Sequence, residues 1–199
     1  MSKKEYFNEH ANSWDERFFT PKLSSFLEKF VLQFGLTSGQ NILDVGTGTG
    51  VLIPYLIRAV GSEGSVTVVD YSEKMVQVCK TKYSQLKNVN VEVKNIEEDA
   101  FSTESFDAVV CFGIFPHLEN KQQALRNMNC ALKLGGKLVI AHALSSEEIK
   151  THHKDASSAV LHDVLPEEAE MIQLLEQAGF KGIGIKAEPG CYICIAHKA

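Results

Sequence analysis

Apolar positions fall along this chain in two alternating rhythms. Short apolar or β-branched runs read as strands in NILDVG, SVTVVD, VNVEVKN, SFDAVVCFGI and GGKLVIAHA. Between and after them, apolar residues three to four apart read as helices in GVLIPYLIRAV, SEKMVQVCKTKYSQL, KQQALRNMNCALK and PEEAEMIQLLEQAGF. Residues 1–34 carry the helical rhythm through Phe18, Leu23, Phe26, Leu27, Phe30, Val31 and Phe34, interrupted near Pro21. Two last strands, GIGIKAE and CYICIAHK, are joined only by the turn pair Pro189 and Gly190.

Strands alternating with helices imply a parallel sheet covered on both faces. A short turn between the last two strands makes that pair antiparallel. The expectation is an α/β, doubly wound, seven-stranded sheet. Five strands run parallel, a sixth follows the last helix, and a seventh folds back beside it.

With 199 residues the chain suits one domain, and its 44% hydrophobic and 23% charged content is ordinary for a globular protein. The formal net charge of −5 and the lack of a lysine or arginine run argue against nucleic acid or an anionic membrane as partner. The most apolar run, AVVCFGIF, is too short to span a bilayer, and MSKKEYFNEHANSWDERFF has no apolar stretch of a secretory signal. Five scattered cysteines read as reduced thiols of a cytoplasmic protein. Cys191 and Cys194 form a CxxC, but on a strand their side chains point to opposite faces. Oligomeric state is not readable from the sequence.

Chemistry concentrates in ILDVGTGTG. In an open α/β sheet ligands bind beyond the carboxyl ends of the strands, first of all at the first strand-to-helix turn. Gly46, Gly48 and Gly50 let the backbone turn tightly and come close to a ligand. Asp70 follows at the end of the second strand, where a carboxylate accepts hydrogen bonds from both hydroxyls of a ribose. A dinucleotide fingerprint is tuned to a pyrophosphate, which Asp44 just ahead of the loop would repel. Asp44 suits instead an α-ammonium group, and ribose plus ammonium describes S-adenosylmethionine.

Four segments in order, ILDVGTGTG, VTVVDYSEKMV, SFDAVVCFGIFPHL and ALKLGGKLVIAHA, resemble the class I S-adenosylmethionine-dependent methyltransferases. Within these the chain is similar to the small-molecule branch of ubiquinone and menaquinone biosynthesis methylases, over roughly residues 40–145. The resemblance implies a Rossmann-like fold, in one domain expected to span 1–199; by position, 1–36 ahead of the first strand is expected to be a helical lid and 141–166, between the fifth strand and the next helix, a substrate-side insertion. It implies that Gly46, Thr47, Gly48, Thr49 and Gly50 contact the methionyl part, Asp70 the ribose, and Tyr71 and Met75 the adenine faces. The acid that usually follows the third strand is replaced by Asn95, followed by Ile96, with Glu97 as competitor for the adenine amino group. Phe112 and Gly113 would line the pocket near the reactive methyl.

A sulfonium already activates the methyl group, so the expected work of the protein is in-line alignment and exclusion of water. A base is required only for an acceptor that arrives protonated. Position alone nominates His142, His153 and His117 for that role. His142, His153 and His162 are also candidate metal ligands, but the nine-residue step from His153 to His162 is no helical ligand spacing, and no metal is assigned. Solvated or helix-capping histidines are the plain alternative. Tyr6, Phe7, Trp14, Phe18 and Phe19 are expected to form a lid or, failing that, an aromatic stripe on the core. The reading is methyl transfer to a small-molecule acceptor, giving S-adenosylhomocysteine. Its rivals are a non-catalytic S-adenosylmethionine-binding regulatory module and an NAD(P)-dependent oxidoreductase.

Overall fold

The computed structural model describes residues 1–149, 151 and 160–199. Two compact units, Met1–Asn95 and Ile96–Ala199, make up the chain.

The first unit opens with α1 (Lys3–His10). A reciprocal cap starts it: Ser2 Oγ accepts from the Glu5 amide at 3.2 Å, and the Glu5 carboxylate accepts from the Ser2 amide at 2.7 Å. After α2 (Trp14–Phe18), Thr20 caps α3 (Pro21–Phe30), with Pro21 at the first helical position, where no amide is needed. The expected interruption at Pro21 is therefore a helix start. Strands β1 (Asn41–Val45), β2 (Ser65–Asp70) and β3 (Val89–Val93) alternate with α4 (Ile53–Val60) and α5 (Glu73–Tyr83). β1 pairs in parallel with β2, and β2 with β3, in a register that sets Asp44 against Val68 and Asp70 against Val93. Leu27, Phe30 and Phe34 are buried with Ile42, Leu43, Leu52, Ile53 and Leu56 in its core.

The second unit holds β4 (Phe106–Phe112), α6 (Lys121–Ala131), β5 (Leu132–His142), α7 (Glu168–Gln177), β6 (Phe180–Glu188) and β7 (Cys191–Lys198). β4 and β5 are parallel, whereas β7 is antiparallel to both β5 and β6. Leu125, Met128, Val139, Ile140, Met171 and Leu175 are buried here. β5 begins three residues earlier than its apolar run suggests. Phe106 pairs with Leu132, and then the register jumps so that Ala108 meets Lys137, leaving the residues between out of the ladder.

The seven strands take the order β3-β2-β1-β4-β5-β7-β6, a mostly parallel, Rossmann-like sheet with an antiparallel last strand, as expected. Among the described residues no helix is long and apolar enough to cross a membrane. Cys191 and Cys194 are buried free thiols on β7.

Candidate functional site

β1 carries Asp44 to its carboxyl end, where only 2% of the residue is exposed. The following loop is pinned to the end of β2, because the amides of Gly46 and Thr47 donate to the Val69 carbonyl at 2.8 and 3.1 Å. Its three glycines do different work. At Gly48, φ is +57° and a β-carbon would meet nothing within 4 Å. At Gly50, φ is +87° and a β-carbon would collide with Tyr83 at 2.5 Å, Ile53 at 2.8 Å and Cys79 at 2.9 Å. Gly50 thus makes room for α5 and for Ile53. Gly48 leaves its face clear.

Asp70 ends β2 and receives two backbone donors. The Gly48 amide donates to Oδ2 and the Ser72 amide to Oδ1, each at 2.9 Å. Each carboxylate oxygen accepts more than one hydrogen bond, so both retain capacity for hydroxyl donors. Burial pushes the Asp70 pKa up to about 6, against the pull of the Ser72 and Gly48 amides. Burial raises Asp44 further, to about 7; the nearby Thr47 side chain opposes this and the charge of Asp70 adds to it. Thr47 does not satisfy the acid, however. Asp44 Oδ2 and Thr47 Oγ1 are both buried without a hydrogen-bond partner among the described residues. A buried acid with an unmatched oxygen beside an open loop favours a cationic donor, and an α-ammonium supplies one. The residues present therefore fit the cofactor that the sequence implies.

The N-terminal segment packs against this region of the first unit. Phe7, Ala11 and Met75 form a buried cluster, with Tyr6, Trp14 and Tyr71 against it. The Phe7 and Tyr71 rings meet edge-on at 6.3 Å. Asn8 Oδ1 accepts from Ser72 Oγ at 2.7 Å and from the Lys74 amide at 3.1 Å, which ties α1 to the start of α5. Asp15 takes the Thr49 hydroxyl at 2.5 Å on one oxygen and the Lys82 ammonium at 2.6 Å on the other. The sequence did not single out Asn8 or Asp15, since each reads as an ordinary polar position on a helix. Phe19 is exposed and does not join the cluster.

In the second unit, Ile96 is buried and its carbonyl accepts from Asn127 Nδ2 at 2.7 Å. Glu97 Oε1 accepts from the amide of Asn120, the residue that caps α6. Phe112 ends β4, and the Gly113 amide donates to the Ala141 carbonyl at 2.9 Å. His142 ends β5, its ring 6.4 Å from that of Phe112. Tyr192 of β7 pairs with His142 in the ladder, and its hydroxyl is buried without a hydrogen-bond partner among the described residues. His117 Nδ1 lies 2.7 Å from Asp163 Oδ2, a partner 46 residues away that no spacing announces. His162 is exposed. His153 lies outside the described residues. Among those described, no group of three or more His, Cys, Asp or Glu side chains is arranged to hold a metal.

Residues 36–179 match the family model for the methyltransferase domain. The chain is 37% identical over 113 residues to the demethylmenaquinone methyltransferase of Staphylococcus aureus, covering 56% of this chain and 46% of that protein. It is 36% identical over 110 residues to the ubiquinone/menaquinone biosynthesis C-methyltransferase UbiE of Psychromonas ingrahamii, covering 53% and 43%. The matched stretch thus spans less than half the length of either relative. A SAM-dependent methyltransferase from Aquifex aeolicus has a similar structure, with a TM-score of 0.72 and 28% identity over 87% of this chain and 89% of that one. With a Methanococcus maripaludis protein the TM-score is 0.76 at 20% identity, covering 96% and 93%, which is likeness of fold. On the family match over residues 36–179, the chain belongs to the methyltransferase domain family, as a class I member whose cofactor is S-adenosylmethionine.

Proposed function

We propose that this chain methylates a small aromatic acceptor of the quinol type at carbon, releasing S-adenosylhomocysteine. The observation that carries the cofactor half is the buried Asp44 with its unmatched Oδ2, at the end of the strand adjacent to the one that Asp70 ends, together with the open face of Gly48. The acceptor class rests on the demethylmenaquinone and ubiquinone/menaquinone methyltransferases to which the chain is similar. Bound at the loop, S-adenosylmethionine supplies a methyl group activated by its sulfonium.

In this reading Asp44 takes the ammonium, Gly46 to Gly50 with Thr47 and Thr49 cradle the methionyl chain, and Asp70 takes the ribose hydroxyls. Tyr71 and Met75 serve the adenine faces, and Asn95 with Ile96 its edge. Glu97 is the competitor there; its carboxylate also accepts from the Asn120 amide. Phe112 and Gly113 attend the methyl end. His142 and His117 belong to the acceptor side. The chain acts as one methyltransferase domain in the cytoplasm, with 1–36 as lid and 141–166 as acceptor-side insertion, and takes no nucleic acid. Packing of Phe7, Ala11 and Trp14 around Met75 supports the lid role.

The test pairs titration of S-adenosylhomocysteine with transfer of labelled methyl to reduced demethylmenaquinone, other phenols, thiols and amines. Quinol carbon methylation is the expected result. Tight binding with no turnover on any acceptor would return the chain to a regulatory role.

A further inference from the structure

Asn8 on α1 and Asp15 on α2 reach the two sides of Asp70. Asn8 Oδ1 accepts from the Ser72 hydroxyl at 2.7 Å, and the Ser72 amide donates to Asp70 Oδ1 at 2.9 Å. Asp15 Oδ1 accepts from the Thr49 hydroxyl at 2.5 Å, and the neighbouring Gly48 amide donates to Asp70 Oδ2 at 2.9 Å. The stretch from Asn8 to Asp15 therefore closes a ring of contacts around both oxygens of one carboxylate. Ser72 and Thr49 are 0% and 1% exposed, so both hydroxyl hydrogens depend on these acceptors rather than on water. Lys82 Nζ holds the second Asp15 oxygen at 2.6 Å and fixes the orientation of that carboxylate. Apolar contact seats the same segment: Phe7 and Ala11 are buried with Met75, and the Phe7 and Trp14 rings meet edge-on at 5.6 Å.

The two polar ends fall on Ser72, which itself carries one Asp70 donor, and on Thr49, the residue after the other. We propose that Asn8 and Asp15 are positioning residues for the cofactor. They act through Ser72 and Thr49 on the Asp70 carboxylate, so that closure of this strap and occupation of the cradle stabilise each other. The inference rests on the cofactor half of the function proposed above. With the strap closed, each amide stays on its own Asp70 oxygen, and the remaining lone pairs keep a fixed direction for the ribose hydroxyls. With the strap open, Thr49 and Ser72 lose their acceptors, and binding must first re-order the loop and the start of α5. Linkage makes the effect mutual: whatever factor closure adds to affinity, the ligand adds to the closed population.

The test titrates the full chain with S-adenosylhomocysteine by calorimetry, as wild type, Asp15→Ala, Thr49→Val and the double variant, each checked for folding by circular dichroism. Each single change should weaken binding about tenfold, and the double change by no more than about twofold further, because both remove the same bond. Thr49→Ser, which keeps the hydroxyl, should recover most of what Thr49→Val loses, and Asp15→Asn serves if Asp15→Ala does not fold. Asn8→Ala should weaken binding severalfold from the other end. Saturating ligand should slow amide hydrogen exchange in residues 3–18 severalfold in the wild type and much less in Asp15→Ala. Residues that only pack the helices would lower the denaturant midpoint and move neither readout. Unchanged affinity in the Asp15 and Asn8 variants, losses that multiply to about a hundredfold in the double variant, or exchange that the ligand does not slow would overturn the strap. A folded wild type that takes no S-adenosylhomocysteine instead overturns the cofactor reading, and the strap falls with it.

Discussion

Gly48 and Asp70 are 22 residues apart in the chain, and the Gly48 amide donates to Asp70 Oδ2 at 2.9 Å. One bond thereby ties the conformation of the loop after β1 to the acid at the end of β2. The same acid holds the Ser72 amide, and Ser72 caps α5 by accepting from the Met75 amide at 3.2 Å. Loop, strand end and helix start are thus set by one buried carboxylate.

Cofactor affinity should follow the ionisation of Asp44. Burial pushes its pKa to about 7, so a substantial fraction is neutral at mildly acid pH. The ligand's α-amino group, beside its own carboxylate, keeps its proton to a pH above the value of about 8 at which a peptide amine loses it. Affinity for S-adenosylhomocysteine should therefore peak between the two and be roughly five- to tenfold weaker at pH 6. Calorimetry in buffers of different ionisation enthalpy should detect proton release on binding at pH 7. Asp44→Asn should flatten the acid limb and weaken binding overall.

The ligand-free chain should lose stability as pH rises from about 4 to about 7. Asp44 and Asp70 have pKa values raised to about 7 and about 6 from an ordinary value of 3.8. Across that window the native state holds protons that the unfolded state has shed, so the slope of unfolding free energy with pH is negative. Above pH 7 their contribution is flat. Urea melts at pH 5 and pH 7.5 measure it, and Asp44→Asn should shrink the difference between them. An Asp44→Asn chain with an undiminished decline would refute this origin.

Gly48→Ala and Gly50→Ala should separate ligand binding from folding. At Gly48 the added methyl enters open space, so the left-handed backbone alone costs about 1–2 kcal/mol of stability. Binding of S-adenosylhomocysteine should fall more than tenfold. At Gly50 the methyl meets Tyr83, Ile53 and Cys79 at under 3 Å, which adds about 1–3 kcal/mol of overpacking to the same backbone strain. Denaturant midpoints and titration of both variants decide between them.

Asp15→Ala should loosen the N-terminal segment. It removes the acceptor for both the Thr49 hydroxyl and the Lys82 ammonium, while Asn8 still holds Ser72 and Lys74. Limited proteolysis should cut within residues 1–20 several times faster in the ligand-free variant. Since Thr49 is a loop residue, affinity for S-adenosylhomocysteine should also drop, on the order of tenfold.

Strand positions and the placement of Asp44 and Asp70 at strand ends were legible because both follow from local pattern: apolar runs end where a glycine loop or an acid stands. Gly50 was not, because its need for a missing β-carbon comes from Tyr83 and Cys79, which α5 brings back against the loop. His117 was legible as a polar residue beyond β4, but its partner was not. Asp163 sits in a stretch with no periodic signature, and only tertiary packing joins the two. Asp15 was hidden for the opposite reason: an acidic residue on a short helix is so common that nothing marks it out.

β7 is inserted between β5 and β6, so a segment made after both becomes an interior strand of the sheet. While the ribosome is still adding residues 191–198, β5 lacks the neighbour that covers its flank and β6 has no ladder partner. The second unit consequently completes its sheet only once residues 191–198 are made, and a nascent chain stalled before residue 198 exposes hydrogen-bonding edges that other chains can recruit. Once the sheet is closed, the outermost strand is β6, mostly exposed and studded with Lys181, Lys186 and Glu188, a poor template for further pairing.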